Sequence, residues 1–238
     1  MNKIKILGSG SSGNCYSLNV DNEILLLDLG FNYKKILEFV NYELDKVVGA
    51  LVTHEHKDHS KAVEEIANNG IDVYATQGTF ESLDIQNHRT NIIKANKPCL
   101  IGNFTILPFM VEHDAVEPVG FLVKHKSIGS LLYITDTYYV KYKFNKINHI
   151  LVECNYSKQI IDETLKDKMF LRNRIVESHF ELNNVIDFLK ASDLSVLKTL
   201  TLIHLSSSNS DEKLFKSEVE KAIGHPVEIA KKDLEIYL

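Results

Sequence analysis

Short apolar runs recur along the whole chain, and Gly, Asn or Asp residues separate many of them. The runs are rich in β-branched residues and strand-sized, so they predict β-strands. Asp21 and Asn22 stand between two such runs and predict a hairpin turn. The predicted strands cover residues 3–7, 17–20, 24–28, 47–53, 72–75, 104–109, 119–125, 131–135, 147–153, 199–205 and 227–230.

Helical patterns fill several of the intervals between these runs. Gly70 and Gly224 follow two of the patterns and supply C-terminal signals. Because helices and strands mix throughout, and the early hairpin argues against a purely parallel sheet, we expect a single α/β domain over residues 1–238. Helices are predicted over 32–42, 58–69 and 211–223, with two more between residues 158 and 190.

The composition excludes several classes of protein. Of the 238 residues, 44% are hydrophobic and 25% are charged, and the net charge of −5 argues against tight non-specific binding of nucleic acid. The three cysteines, Cys15, Cys99 and Cys154, lie far apart, which argues against a disulfide framework or a thiolate zinc site. No apolar run is long enough to span a bilayer, and the N-terminus lacks a signal-peptide pattern, so we expect a cytoplasmic protein without a membrane partner.

The most informative segment is the cluster His54-x-His56-x-Asp58-His59, at the junction of a predicted strand and a predicted helix. His54 and His56 project to one side of an extended chain, because strand side chains alternate. After the turn, Asp58 and His59 reach a neighbouring point. Imidazole and carboxylate ligands suit zinc, and also manganese or iron, so the segment predicts two ligands for each of two divalent cations. The alternative is a solvated, histidine-rich turn.

Three further candidate ligands lie at or near the ends of predicted strands: His113, Asp136 and His204. Each alone has another interpretation, as a structural histidine or a loop aspartate, but together they complete a two-metal site. A carboxylate can offer one oxygen to each cation, so Asp136 is expected to bridge them. His54, His56 and His113 would hold metal one, and Asp58, His59 and His204 would hold metal two.

This ligand set resembles the metallo-β-lactamase superfamily, with its H-x-H-x-D-H signature and later His, Asp and His ligands. Four segments also resemble the YycJ/WalJ-like branch: GSGSSGNC at 8–15, THEHKDH at 53–59, ECNY at 153–156 and IHLSSSN at 203–209. The chain departs from the branch at 177–183, where ESHFELN replaces a GHLSN-like segment, so His179 matches but the following Asn is displaced.

The resemblance implies a fold and an activity. The fold would be a four-layer αββα sandwich of two mixed sheets flanked by helices. The activity would be that of a metal-dependent nuclease or phosphodiesterase acting on nucleic acid or nucleotides, with two divalent ions, either Zn²⁺ or Mn²⁺, as cofactors. The sequence predicts neither the strand preference nor the oligomeric state.

Such a site would hydrolyse its substrate with a metal-activated hydroxide. Asp58 is a candidate acceptor for the proton of the attacking water, and His179 is a candidate general acid for the leaving oxygen. Arg172 and Arg174 are candidate phosphate contacts, although solvated arginines fit the sequence equally well. Asn14 is a candidate substrate contact, which loop structure alone would also explain. Lys141, Lys143 and Lys146 follow Asp136 in the chain and could line the path by which a phosphate approaches.

Other interpretations stay open at this point. The glycines of Gly8-x-Gly10-x-x-Gly13 fit a dinucleotide-binding pattern, but residues 14–23 alternate as in a strand and leave no room for the helix that this pattern requires. The same metals would serve a hydrolase of carbonyl substrates, such as a thioester, a lactone or a β-lactam. A non-catalytic binding module of the same fold is the third alternative.

Overall fold

The computed structural model describes all residues of the chain, from Met1 to Leu238. The chain forms two compact units, each described in turn. Unit 1 comprises Met1–Met110, Ala115–Gly129 and Lys231–Leu238, and unit 2 comprises Val111–Asp114 and Ser130–Ala230. The expectation of one domain over residues 1–238 stays a prediction.

The strands and helices are numbered in chain order. The strands are β1 (Lys3–Gly8), β2 (Cys15–Val20), β3 (Glu23–Leu27), β4 (Val47–Leu51), β5 (Val73–Ala75), β6 (Thr90–Ile92), β7 (Cys99–Ile101), β8 (Phe104–Met110), β9 (Val119–His125), β10 (Gly129–Ile134), β11 (His149–Glu153), β12 (Thr199–Ile203), β13 (Val227–Ile229) and β14 (Glu235–Tyr237). The helices are α1 (Tyr33–Phe39), α2 (Lys57–Ser60), α3 (Val63–Asn68), α4 (Gln77–Leu83), α5 (Lys158–Thr164), α6 (Met169–Ser178), α7 (Leu182–Ala191) and α8 (Glu212–Ile223), and none of them is long and apolar enough to cross a bilayer.

The main sheet of unit 1 is mixed and has the strand order β14-β1-β2-β3-β4-β5-β6. Its antiparallel part includes the predicted hairpin, in which Asp21 and Asn22 both take the left-handed backbone conformation that tight hairpin turns require. From β3 to β6 the strands run parallel, with Leu27 opposite Leu51. Because β3 and β4 end at the same edge, Asp28 and Thr53 come together just beyond it.

An apolar core packs against this sheet in unit 1. It combines strand side chains such as Leu26 and Ala50 with α1 and α3 side chains such as Ile36 and Ile66, all of which are buried. Unit 1 also contains the antiparallel strands β7, β8 and β9. This packing fixes the strand ends that carry the histidine cluster.

Unit 2 contains four parallel strands in the order β10-β11-β12-β13. The side chains of β10, β11 and β12 are almost entirely buried, as expected for parallel strands. Glu153 pairs with Ile203, and Ile134 pairs with Val152, so these strands end at a common edge. The segments that begin with Asp136 and His204 leave from that edge.

Two helix predictions need correction. The helix predicted over 58–69 is two helices, α2 and α3, because the backbone of the joining segment bonds to Leu29: Ala62 N donates to Leu29 O at 3.0 Å, and Leu29 N donates to His59 O at 2.7 Å. Between residues 158 and 190 there are three helices, where two were predicted. The unpredicted elements are short, namely α4, β6, β7 and β14.

A close approach of two backbone segments brings the loop after β1 against the histidine cluster. Asn14 N donates to Asp58 O at 2.7 Å, and Gly30 N donates to Asn14 O at 2.9 Å. A β-carbon at Gly30 would overlap the carbonyl oxygen of Asp58 and lie 2.6 Å from Asn14 N. Only glycine therefore permits this contact.

We expect Gly30→Ala to lower the free energy of unfolding by about 3 kcal/mol or more, because the new methyl group meets fixed backbone atoms. The matched control is Gly70→Ala, where nothing lies within 4 Å and only the positive φ is unfavourable. That control should cost about 1 kcal/mol. Urea unfolding of both variants tests the difference, and equal losses would contradict the close-approach argument.

Candidate metal centre

The three histidines of the unit 1 cluster converge. The Nε2 atom of His54 lies 3.1 Å from Nδ1 of His56, and the ring centroids of His54 and His59 are 4.3 Å apart. The Nε2 atom of His59 lies 3.5 Å from Oδ2 of Asp58. The predicted grouping of these four residues is therefore present within unit 1.

One buried carboxylate, Asp28, organises the cluster. Its Oδ2 atom accepts a hydrogen bond from Nδ1 of His59 at 2.7 Å, and its Oδ1 atom accepts from the backbone N–H of Thr53 at 2.8 Å. The hydroxyl of Thr53 also donates to Asp28, at 3.0 Å, so it is left to accept from Nδ1 of His54, also at 3.0 Å. Both His54 and His59 thus carry their proton on Nδ1 and their lone pair on Nε2.

Asn14 packs against this cluster from the loop after β1. It is fully buried, and its amide nitrogen lies 3.0 Å from Nε2 of His59 and 3.1 Å from Gly10 O. Its Oδ1 atom accepts from Gly10 N at 2.8 Å. These bonds give Asn14 a role in holding the loop beside His59, and the predicted substrate contact stays a prediction.

Unit 2 brings together the other three predicted ligands. The Oδ2 atom of Asp136 lies 3.6 Å from Nε2 of His113, and its Oδ1 atom lies 3.0 Å from Nδ1 of His204. Asp136 and His204 both adopt left-handed backbone conformations just beyond the ends of their strands. Asp136 therefore lies between the two histidines.

The backbone fixes the tautomer of His113. Its Nδ1 atom lies 2.9 Å from the carbonyl oxygen of Ser178, which can only accept, so Nδ1 carries the proton and Nε2 faces Asp136. Burial lowers the pKa of His113, and the charge of Asp136, which acts in the opposite direction, does not offset it. A neutral imidazole with Nε2 turned inward is the form that a metal ligand requires.

A second buried carboxylate, Glu153, performs in unit 2 the role that Asp28 has in unit 1. Its Oε1 atom accepts from Nδ1 of His179 at 2.7 Å and from Nδ1 of His204 at 2.9 Å. Its Oε2 atom accepts from the backbone N–H groups of Thr137 at 3.0 Å and Phe180 at 3.2 Å. Each carboxylate oxygen of Glu153 therefore accepts two hydrogen bonds from groups at this edge of the sheet.

The carboxylate of Glu153 controls the charge of His179. Burial lowers the pKa of His179, but the negative charge of Glu153 and the hydrogen bond to it outweigh burial, so the net pKa is raised. Burial raises the pKa of Glu153, but the charge of His179 and the hydrogen bonds from His179 and His204 outweigh burial, so the net pKa is lowered. In the absence of a metal, the pair therefore favours an imidazolium beside a carboxylate.

The two predicted arginine contacts differ in their surroundings. Arg172 donates from Nε and Nη2 to Oδ1 of Asp162, at 2.8 and 2.6 Å, so its guanidinium is engaged within unit 2. Arg174 lies on the same helix, α6, and is largely exposed, with Nε 3.8 Å from Oδ2 of Asp114. Of the two, Arg174 is the more accessible to a ligand.

Comparisons with known proteins place this geometry in a family. Residues 26–205 match the family described as "Beta-lactamase superfamily domain". The chain is 31% identical over 230 residues to Exodeoxyribonuclease WalJ of Streptococcus pneumoniae serotype 2, covering 89% of this chain and 84% of the relative. The chain belongs to the metallo-β-lactamase superfamily.

Two further metallo-β-lactamase comparisons bear on the branch and the fold. The chain is 27% identical over 233 residues to Exodeoxyribonuclease YycJ of Bacillus anthracis, covering 92% of this chain and 88% of the relative. The crystal structure of the metallo-β-lactamase fold protein YhfI from Bacillus subtilis matches 99% of both chains with a TM-score of 0.74 at 15% identity. The predicted YycJ/WalJ-like branch and the α/β sandwich of two mixed sheets are confirmed.

Within each unit of this chain, pairs of donor atoms have the spacing that a divalent ion requires. Zinc binds imidazole nitrogen and carboxylate oxygen at about 2.0–2.2 Å, so neighbouring ligand atoms of a tetrahedral site lie roughly 3.3 Å apart. Three donor pairs come close to this separation: His54 with His56 at 3.1 Å, His59 with Asp58 at 3.5 Å and His113 with Asp136 at 3.6 Å. The chemistry of the donors fits divalent metal ions.

Glu153 had no role predicted from the sequence, although its position at the end of a strand could have indicated one. It ends an apolar strand and is the strand-end carboxylate of β11, the same feature that singled out Asp136 after β10. Asp28 likewise directly follows an apolar strand, β3, and lies in contact with His59.

We expect Asp28→Asn to weaken zinc binding about 10- to 100-fold, because an amide cannot satisfy both His59 Nδ1–H and the Thr53 donors. The matched control is Asp72→Asn, which removes only a partly exposed ion pair with Arg89. Competition with a chromophoric chelator gives the dissociation constants, and circular dichroism verifies the fold. A folded Asp28→Asn variant with unchanged zinc affinity would contradict the orienting role.

Proposed function

We propose that this chain is a metal-dependent exonuclease that hydrolyses phosphodiester bonds of DNA. The observation that carries the proposal is that both units present histidine and aspartate donors oriented by a fully buried carboxylate, Asp28 or Glu153. Two relatives that match along most of the chain are named exodeoxyribonucleases. A buried carboxylate that accepts from Nδ1 of a histidine fixes the ring orientation and tautomer that a metal ligand requires, which supports a metal site.

The proposed ligands are those predicted from the sequence. His54, His56 and His113 would hold one cation, Asp58, His59 and His204 would hold the other, and Asp136 would be a ligand of both. A set rich in imidazole suits Zn²⁺, and its carboxylates also admit Mn²⁺. When bound, the cations would lower the pKa of a water molecule toward neutrality and neutralise charge on the phosphate oxygens.

The protein's own residues supply the proton transfers. Asp58 is partly exposed and is proposed to accept the proton of the attacking water. His179 donates from Nδ1 to Glu153, so its Nε2 is directed away from that carboxylate and can deliver a proton to the leaving oxygen. Glu153 does not touch the substrate in this scheme and is a positioning residue for His179.

Substrate contacts are assigned by accessibility. Arg174 is proposed to contact a phosphate of the substrate strand, because its guanidinium is exposed. Arg172 and Asn14 are engaged within the protein and would contact substrate only after losing those bonds. No observation favours a carbonyl substrate or a purely binding role. The experiments below therefore include carbonyl substrates as controls.

We expect the purified protein with Zn²⁺ or Mn²⁺ to release nucleotides from an end-labelled oligonucleotide and to lose this activity with a chelator. Nitrocefin and lactones should not be cleaved. His56→Ala should lose metal and activity together. His179→Ala should keep the metal, because His179 is not one of the proposed ligands, and should lose about 10²- to 10⁴-fold in kcat.

A second substrate separates the role of His179 from a general loss of structure. Bis(p-nitrophenyl) phosphate releases p-nitrophenolate, which leaves without protonation, so His179→Ala should affect its hydrolysis far less than that of the oligonucleotide. An equal loss on both substrates would contradict the general-acid role. Cleavage of nitrocefin or a lactone in place of the oligonucleotide would overturn the proposed function.

A further inference from the structure

Unit 2 contains a concave pocket that the proposed chemistry does not use, and Phe180, the residue after His179, is one of its lining residues. Its volume is about 240 Å³. One wall is the segment Tyr139–Lys143, and the other is formed by Phe180 and residues of α7. Phe180 directly follows His179 in the chain, so the pocket begins one residue from the proposed general acid.

Glu153 forms hydrogen bonds both to His179 and to the segments that lead to the two walls of this pocket. Its Oε2 atom accepts from the N–H of Thr137, two residues before Tyr139, and from the N–H of Phe180. Its Oε1 atom holds His179. One buried carboxylate therefore bonds to His179, to a residue of one wall and to the segment that leads into the other.

The buried lining residues of the pocket are aromatic and apolar, and its exposed ones include two lysines. Phe180 and Phe188 are buried, with ring centroids 6.0 Å apart. Tyr139 is 56% exposed although it is a large aromatic residue. An exposed aromatic ring that lines an apolar pocket can stack on a planar ligand.

The charges around the pocket indicate how a nucleotide would lie in it. The segment that carries Tyr139 also carries Lys141 and Lys143, both exposed. Lys141 lies 3.8 Å from Glu112 and 5.6 Å from the ring centroid of Tyr142. On the opposite wall, Asp187 disfavours a phosphate, so the base would face α7 and the sugar-phosphate backbone would follow the lysines.

The size of the pocket limits what it can hold. Sites for drug-sized ligands measure roughly 300–1,000 Å³. The pocket, at about 240 Å³, suits a single ring system. A protein with a net charge of −5 also needs local cations to hold a polyanion, and the two lysines provide them.

We propose that the pocket between Tyr139 and α7 binds one base of a single-stranded nucleic-acid substrate, with Tyr139 stacking on that base and Lys141 and Lys143 contacting the flanking phosphates. This inference rests on the proposed function, because it names how the same site holds its substrate. Tyr139 is a binding residue in this scheme and takes no part in proton transfer.

The test compares Tyr139→Ala with Tyr139→Phe and with the control Tyr237→Ala, whose side chain is equally exposed, at 56%, on β14 of unit 1. The metal-loaded proteins are assayed with a single-stranded oligonucleotide for KM and kcat. Their Kd values are measured by fluorescence anisotropy with a phosphorothioate strand of the same sequence. Stacking of a base on an aromatic ring corresponds to a roughly 5- to 150-fold change in binding.

We expect Tyr139→Ala to raise KM and Kd within that range while kcat changes little, and both Tyr139→Phe and Tyr237→Ala to behave as the wild type. A series of strands with one abasic nucleotide identifies the stacked base. At one position, loss of the base should weaken binding to the wild type but not to Tyr139→Ala.

Three results would overturn the inference. An unchanged KM and Kd for Tyr139→Ala would exclude the stacking contact while leaving the proposed nuclease function in place. Equal effects of every abasic position on the wild type and on Tyr139→Ala would show that Tyr139 does not bind a base. A wild-type protein that neither binds nor cleaves the strand would overturn the proposed function together with the inference.

Discussion

A hydrogen bond from the Nδ1 atom of a histidine to a buried carboxylate is the interaction on which the candidate centre depends. It occurs at Asp28 in unit 1 and at Glu153 in unit 2, and both carboxylates are fully buried. A buried carboxylate is unfavourable unless its oxygens are satisfied, and here backbone N–H groups and histidines satisfy them. The histidines in turn receive a defined tautomer and ring orientation.

In each unit, parallel strands end at a common edge, and the buried carboxylate lies at the end of one of these strands. Asp28 follows β3, and Glu153 ends β11, while candidate ligands follow neighbouring strands within the same unit. Polar groups at such edges lie beyond the apolar core, so they gather without interrupting it. The left-handed conformations of Asp28, Asp136 and His204 turn the chain sharply at these points. Conformations of this kind carry a cost, which the surrounding hydrogen bonds offset.

Much of this arrangement was predictable from the sequence, and the reasons differ between elements. The strands were predicted well because apolar runs next to turn residues are a local signal, as at Asp21-Asn22. The break after α2 was not predictable, because it depends on bonds between Ala62 and Leu29, which are distant in sequence. The short strand β14 pairs with β1 at the other end of the chain, and nothing local indicates this. The missed role of Glu153 had a local signal, since it ends an apolar strand, but its partners His179 and His204 come from elsewhere in the chain.

The histidine and aspartate donors are proposed to hold two divalent cations. The most direct measurement is the metal content of the purified protein, taken by inductively coupled plasma mass spectrometry after equilibrium dialysis against Zn²⁺. The account predicts two zinc ions per chain, with loss of zinc when His204 is replaced by Ala. A protein that retains no zinc, or whose zinc content is unaffected by removal of His204, would contradict it.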